Sequence, residues 1–191
     1  MAASATRAQI VAAADRLFYE QGFEHTSFTT IAEVVGLSRG NFYYHFKTKN
    51  EILAAVIASR IDATRAMLRQ WEDEAAEPME RIRRFIRIVQ TNRADIRDFG
   101  CPVGTLTAEL TKLRHPSRPE ATALFTVFRD WLTAQFAALG HGEGSDAMAL
   151  HVLAFSQGVA TLTNAFGDED FVHREVARME AWLATCGSRT T

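Results

Sequence analysis

Apolar side chains recur at three- and four-residue intervals along nearly the whole of this 191-residue chain. Nowhere does apolar alternate with polar for long enough to build a half-buried strand. Only four prolines occur and none precedes Pro78, so the front of the chain contains no residue that would break a helix. These features predict an all-α fold of about nine helices. With 47% hydrophobic residues, the chain can bury a sizeable core as one large domain or two small ones.

The helices are delimited by caps and glycines. The first spans about Ala5 to Gln21, with Ile10, Ala13, Ala14, Leu17 and Phe18 as its apolar stripe and Gly22 as its stop, after which Phe23 packs back. Ser27 caps a short second helix, in which Ile31, Val34 and Val35 face inward before Gly36 ends it. Ser38 caps a third. Thr48 or Asn50 caps a long fourth that reaches Trp71, and Pro78 opens a fifth that runs to the break at Gly100-Cys101-Pro102. Further helices carry Leu106 and Leu110, then residues 120–139, then 146–166 with Ser145 as a cap, then a last one capped by Asp168. Short helices followed by long ones predict a small helical module over residues 1–50 and a larger helical bundle over 51–191, joined within the fourth helix without a linker.

Charge is unevenly spread. The net charge is −2, which does not by itself mark a nucleic-acid binder. Residues 34–50, however, contain Arg39, Lys47 and Lys49 and no acid. A local basic surface of this kind can hold phosphate on an otherwise acidic chain. The arginines of the fifth helix, Arg81, Arg83, Arg84 and Arg87, read first as a solvated face supported by nearby acids. The start of the chain lacks the apolar core and cleavage site of a signal peptide, no run is long enough to cross a membrane, and the two cysteines show no metal-ligand spacing. The expectation is a cytoplasmic protein without metal or cofactor.

The segment SRGNFYYHF, residues 38–46, sets Phe42, Tyr43, Tyr44 and Phe46 around a histidine, behind a polar front. Phe42 and Phe46 are four apart and fall on one helix face, with Ile31 and Leu17 as partners. The tyrosines point elsewhere and carry hydroxyls. A helix, a tight Gly36-Leu37-Ser38 turn and a second helix with an exposed N-terminus have helix-turn-helix geometry. The guanidinium of Arg39 suits guanine O6 and N7.

The stretch SFTTIAEVVGLSRGNFYYHFKTKNEIL resembles the DNA-binding domain of the TetR family of bacterial transcriptional regulators. Ser27, Ile31-Ala32, Gly36-Leu37-Ser38, Gly40, Tyr43, His45-Phe46 and Lys49 match that family's pattern. The resemblance implies that Ser27, Asn41, Tyr44, His45 and Lys49 contact or line phosphates, and that Thr29, Arg39, Gly40 and Tyr43 approach base edges. Asn41 stands where threonine is usual and can bond a phosphate or read a base. His45 can support packing or contact phosphate. The family's larger domain implies a ligand pocket and a dimer interface. Phe85, Val89, Phe99, Leu106, Phe125, Phe128 and Trp131 are the candidate pocket wall, suited to a hydrophobic or planar effector; plain core is the competing reading. Phe155, Gly158, Leu162, Phe166, Met179 and Trp182 are candidate interface residues, with Gly158 as a point of close helix approach; the competing reading is an intramolecular core.

The implied function is a homodimeric repressor that binds double-stranded operator DNA and is released by a small-molecule effector. Two alternatives stand beside it. Cys101, at the start of a helix, could sense electrophiles or oxidants, although a small buried hydrophobe is the simpler reading. An architectural DNA-binding protein with no effector is the other. A thiol enzyme built on Cys101 with His115 or His151 has no supporting motif, so the chain is not expected to be an enzyme.

Overall fold

The computed structural model describes residues 2–187. Among them are ten α-helices and one 3-10 turn, with no strand: α1 (Ala2–Gln21), α2 (Phe28–Val35), α3 (Arg39–His45), α4 (Lys49–Glu74), α5 (Pro78–Thr91), α6 (Arg93–Phe99), α7 (Pro102–Lys112), α8 (Arg118–Ala138), the turn Gly142–Gly144, α9 (Ser145–Phe166) and α10 (Glu169–Cys186). The expected fifth helix is divided in two at Asn92. There the backbone leaves the helical region and the side-chain amide donates to the Ile88 carbonyl at 3.0 Å, a local bond that competes with the helical ladder.

The chain forms two compact units. One holds the chain up to Ala63 together with Thr105–Leu124; the other holds Thr64–Gly104 together with the chain from Phe125 on. Helices α4, α7 and α8 each run from one unit into the other.

In the first unit, Ile10, Ala14 and Phe18 of α1, Ile31 of α2, Phe42 of α3 and Ile52, Leu53 and Val56 of α4 close on one another, with Phe46 beside them. Leu106 and Leu110 of α7 and Ala121 of α8 belong to the same core. Val34, expected to face inward, is instead exposed: α2 is only eight residues long and one buried residue, Ile31, is enough to seat it.

In the second unit, α5 supplies Ile82, Phe85, Ile86 and Val89 to a core shared with Phe128, Leu132 and Phe136 of α8, Val152 and Val159 of α9, and Val172, Val176, Met179 and Leu183 of α10. The arginines of α5 surround that stripe and are paired. Arg83 meets Glu80, Arg84 meets Glu74, Arg87 meets Glu180, and Arg81 donates to the carbonyls of Ala75 and Glu72 and to Gln135.

A helix of seven residues such as α3 does not hold its shape in water unaided, so its packing must supply the stability. Phe42 is fully buried. Phe42→Ala should therefore lower the unfolding free energy by about 3–5 kcal/mol, measured by chemical denaturation. A loss under about 1 kcal/mol would contradict that role.

Candidate nucleic-acid interface

Two caps and one glycine place α2 and α3. The Ser27 side chain accepts from the Thr30 amide at 2.9 Å and satisfies one of the helix's orphan donors. At the other end Gly36 adopts φ 69°, with its amide bonded to Glu33 at 3.0 Å and the Leu37 amide bonded to Ala32 at 3.1 Å. This left-handed stop costs little only at glycine and turns the chain sharply into Ser38. Ser38 then accepts, at 3.4 Å, from the amide of Asn41.

Phe42 points into the core with its ring 4.5 Å from that of Phe28, edge to face. That orientation leaves Arg39, Gly40, Asn41, Tyr43 and Tyr44 exposed. Ser27 and Thr29, at the start of α2, are exposed as well. Tyr43 lies against Phe28 at 4.9 Å, and the Arg39 guanidinium lies 5.8 Å from the Tyr43 ring. Phe28, Thr29, Ala32, Glu33, Leu37, Arg39, Phe42 and Tyr43 together line a cleft of about 260 Å3. Tyr44 is the most exposed of the rings in α3, and His45 sits half-buried with its ring edge-on to Tyr44 at 5.2 Å. A Cβ at Gly40 would meet no atom of this chain within 4 Å, so the fold itself does not require a glycine there.

Lys49 has partners within the chain. Its ammonium donates to the carbonyls of Phe23 at 2.9 Å and Glu24 at 3.3 Å and lies 4.2 Å from the centre of the Phe23 ring. Two of the three N–H donors of an ammonium are thus spent on the α1–α2 turn, which leaves one to offer an anion. Two cations absent from the expected set lie close by. Arg7, exposed on α1, stacks over Phe46 at 4.6 Å, and Lys47 closes the end of α3 by donating to the Tyr43 carbonyl. The absence of acids over residues 34–50 marks Lys47, but nothing in the sequence brings Arg7 to Phe46.

The expected pocket-wall residues divide between the two units. Phe85 and Phe128 are buried and meet edge to face at 5.3 Å, with Val89 in the same core. Phe99 and Phe125 are half-buried. Trp131 donates to Glu72 at 2.8 Å and lines a surface cleft of about 270 Å3 with Arg65, Leu68, Arg69, Glu72, Val127 and Asp130. Leu106 is in the core of the other unit, because it shares the buried face of α7 with Leu110.

The expected interface residues divide by helix. On α9, Gly158, Leu162 and Phe166 are exposed and Phe155 half-buried, all on one face that the exposed His151 shares. A Cβ at Gly158 would meet nothing within 4 Å, so no close approach within the chain explains that glycine. On α10, Met179 is a core residue and only Trp182, half-buried against His151 at 4.6 Å, reaches the surface. Met179 faces inward because it continues the Val172–Val176 stripe. The Cys101 sulfur, half-buried, accepts from the Gly104 amide and from the Gln157 side chain, each at 3.4 Å.

Comparison with known proteins bears on residues 10–56, which match the family model described as bacterial regulatory proteins, tetR family. The chain is 26% identical over 136 residues to an uncharacterized HTH-type transcriptional regulator in the lacX 3' region of Lactococcus lactis, covering 70% of this chain and 69% of that one. It is 30% identical over 128 residues to the HTH-type transcriptional regulator LmrA of Bacillus subtilis, covering 66% of each. It is 36% identical over 85 residues to the HTH-type transcriptional regulator TtgR of Pseudomonas putida, but spans only 40% of that protein. A TetR-family transcriptional regulator from Agrobacterium tumefaciens has the same fold, with a TM-score of 0.82 at 22% identity, covering 94% of this chain and 98% of that one.

The capping geometry makes a prediction of its own. Ser27→Ala should cost about 1 kcal/mol of stability and Ser27→Gly only a few tenths, read from urea denaturation midpoints. Equal losses would show that the hydroxyl is not the cap.

Proposed function

The chain belongs to the tetR family of bacterial regulatory proteins, and on that premise we propose that it is a homodimeric transcriptional repressor released from its operator by a small molecule. The observation that carries this reading is the exposed front of α3. Arg39, Gly40 and Asn41 stand free of the core because Phe42 is fully buried behind them. A helix seated this way enters a major groove N-terminus first.

In this reading the guanidinium of Arg39 reads base edges, Tyr43 and Thr29 flank it, and Gly40 lets the backbone approach the duplex without a Cβ in the way. Ser27, Asn41, Tyr44 and His45 hold phosphates, and Lys49 contributes its remaining donor. Two copies place their α3 helices in successive major grooves about 34–36 Å apart, on a palindromic site. The exposed α9 face of Phe155, Gly158, Leu162 and Phe166 supports pairing with a second copy, whose helix can approach closely at Gly158. Phe166 is 77% exposed in the single chain, a state a large ring leaves readily for an apolar partner.

Effector binding in the second unit shifts the dimer toward a state in which the two α3 helices no longer match groove spacing. Linkage requires operator DNA to weaken effector binding by the same factor. A second reading rests on Cys101. Its sulfur is half-buried, accepting from the Gly104 amide and the Gln157 side chain, and in this reading an electrophile or oxidant is the signal. Cys101→Ser with an unchanged inducer response in cells would exclude it.

Two experiments test the main reading. Arg39→Ala should lose about 1–3 kcal/mol on a duplex selected from a random pool and relax its sequence preference, while Tyr44→Phe should weaken selected and random duplexes alike. Fluorescence anisotropy titrations decide this, and equal losses for Arg39→Ala on both duplexes would contradict base reading. Leu162→Asp combined with Phe166→Asp should convert the dimer to monomer at micromolar concentration in sedimentation velocity. A monomeric wild type would refute the dimer.

A further inference from the structure

We propose that Glu109, far outside the helix-turn-helix motif, is a positioning residue for DNA reading, acting through the α1–α2 turn. The proposal rests on the DNA-binding reading above. Glu109 lies on α7, and its two carboxylate oxygens accept separately from the backbone amides of Phe23 and Glu24, each at 2.9 Å. The carbonyls of those same two residues accept from Lys49 of α4. Two consecutive residues are therefore held at their N–H groups by an anion and at their C=O groups by a cation. Bonds with one ionised partner are the strong ones, and here all four act on two residues.

Independent features show that the turn is shaped around this carboxylate. Gly22 precedes it at φ +86°, a conformation other residues rarely adopt, and a Cβ there would lie 3.1 Å from a Glu109 oxygen. Glycine is thus needed for both the backbone and the approach. Phe23 is buried with its ring edge-on to His115 at 5.1 Å. His115 accepts at Nδ1 from the Ser117 amide at 3.1 Å. Its Nε2 lies 3.2 Å from the side-chain oxygen of Asn50 and donates to it. The α7–α8 segment thereby holds both the turn and the start of α4.

The turn leads directly into the DNA-facing end of α2. Thr26, fully buried, donates to the Gly22 carbonyl at 2.7 Å, and Ser27 and Thr29 follow at once. A turn opened by glycine has a wide conformational range of its own. Fixing Phe23 and Glu24 fixes where α2 begins and so where Ser27 and Thr29 stand relative to α3. Glu109 touches no DNA in this scheme; its effect should appear as sequence discrimination.

The test uses the full-length protein and two duplexes, one selected from a random pool by the wild type and one random. Glu109→Gln replaces one acceptor oxygen with a donor that opposes an amide. It should lower affinity for the selected duplex about five- to tenfold and leave the random duplex within about twofold. Glu109→Asp, which keeps the charge, should recover part of the loss. Amide hydrogen exchange read by NMR should accelerate at Phe23 and Glu24 in Glu109→Gln, and the same two amides should be protected in the wild type. Wild-type discrimination with slow exchange in Glu109→Gln would overturn the proposal. So would equal losses on both duplexes with a lowered melting temperature, which mark a merely structural role. If Glu109→Gln does not fold, fast exchange at Phe23 and Glu24 in the wild type would overturn it and slow exchange would support it. A wild type that selects no duplex at all would instead count against the DNA-binding reading.

Discussion

The burial of Phe42 is the interaction on which the reading surface depends. Helix α3 has seven residues and a long, weak capping contact at Ser38, so neither propensity nor caps hold it. A phenyl ring inserted among Ile31, Phe28 and the α1 and α4 side chains does. It also sets the helix's rotation. With Phe42 inside, Arg39, Gly40 and Asn41 must lie outside, and Tyr43 and Tyr44 fall along the flank. The chemistry of the front of α3 therefore follows from the packing of its back.

Much of this was legible in the sequence because the signals are local. Ser27, Gly36 and Ser38 are capping residues whose roles follow from their immediate neighbours, and Phe42 and Phe46 are placed by four-residue spacing. Most of what could not be read depends on segments distant in the chain. The pattern of α7 and α8 puts Leu106, Leu110 and Ala121 on buried faces, but periodicity does not say which core receives them, and they joined the first unit. Leu106 was assigned to a pocket for that reason. The bonds of Lys49 to the α1–α2 turn are not legible because the carbonyls it meets lie 26 and 25 residues earlier. Met179, a candidate interface residue with core as the competing reading, lies in the core, because an amphipathic helix shows which residues share a face, not which face is covered. Asn92 divided the fifth helix through a side-chain bond that apolar periodicity ignores.

The two units differ in how they use charge. In the first, the charged groups of Glu109 and Lys49 are turned on the backbone of a turn. In the second, Arg83, Arg84 and Arg87 of α5 are matched with acids on the surface, where each exposed pair contributes little. The basic character that a nucleic acid would meet comes from a few residues around α3, so a net charge of −2 is no obstacle. A small local surplus of cations is enough where phosphates are held mainly by hydroxyl, amide and backbone donors.

The most direct measurement is the pattern of backbone amide shifts in a TROSY spectrum as a selected duplex is added to the full-length protein. Burial of Phe42 with DNA at the exposed front of α3 predicts the largest shifts from Ser38 to Tyr44 and at Ser27 and Thr29, with little change in the α5 and α10 cores. Shifts confined to α9 and α10, with residues 38–44 unmoved, would contradict it.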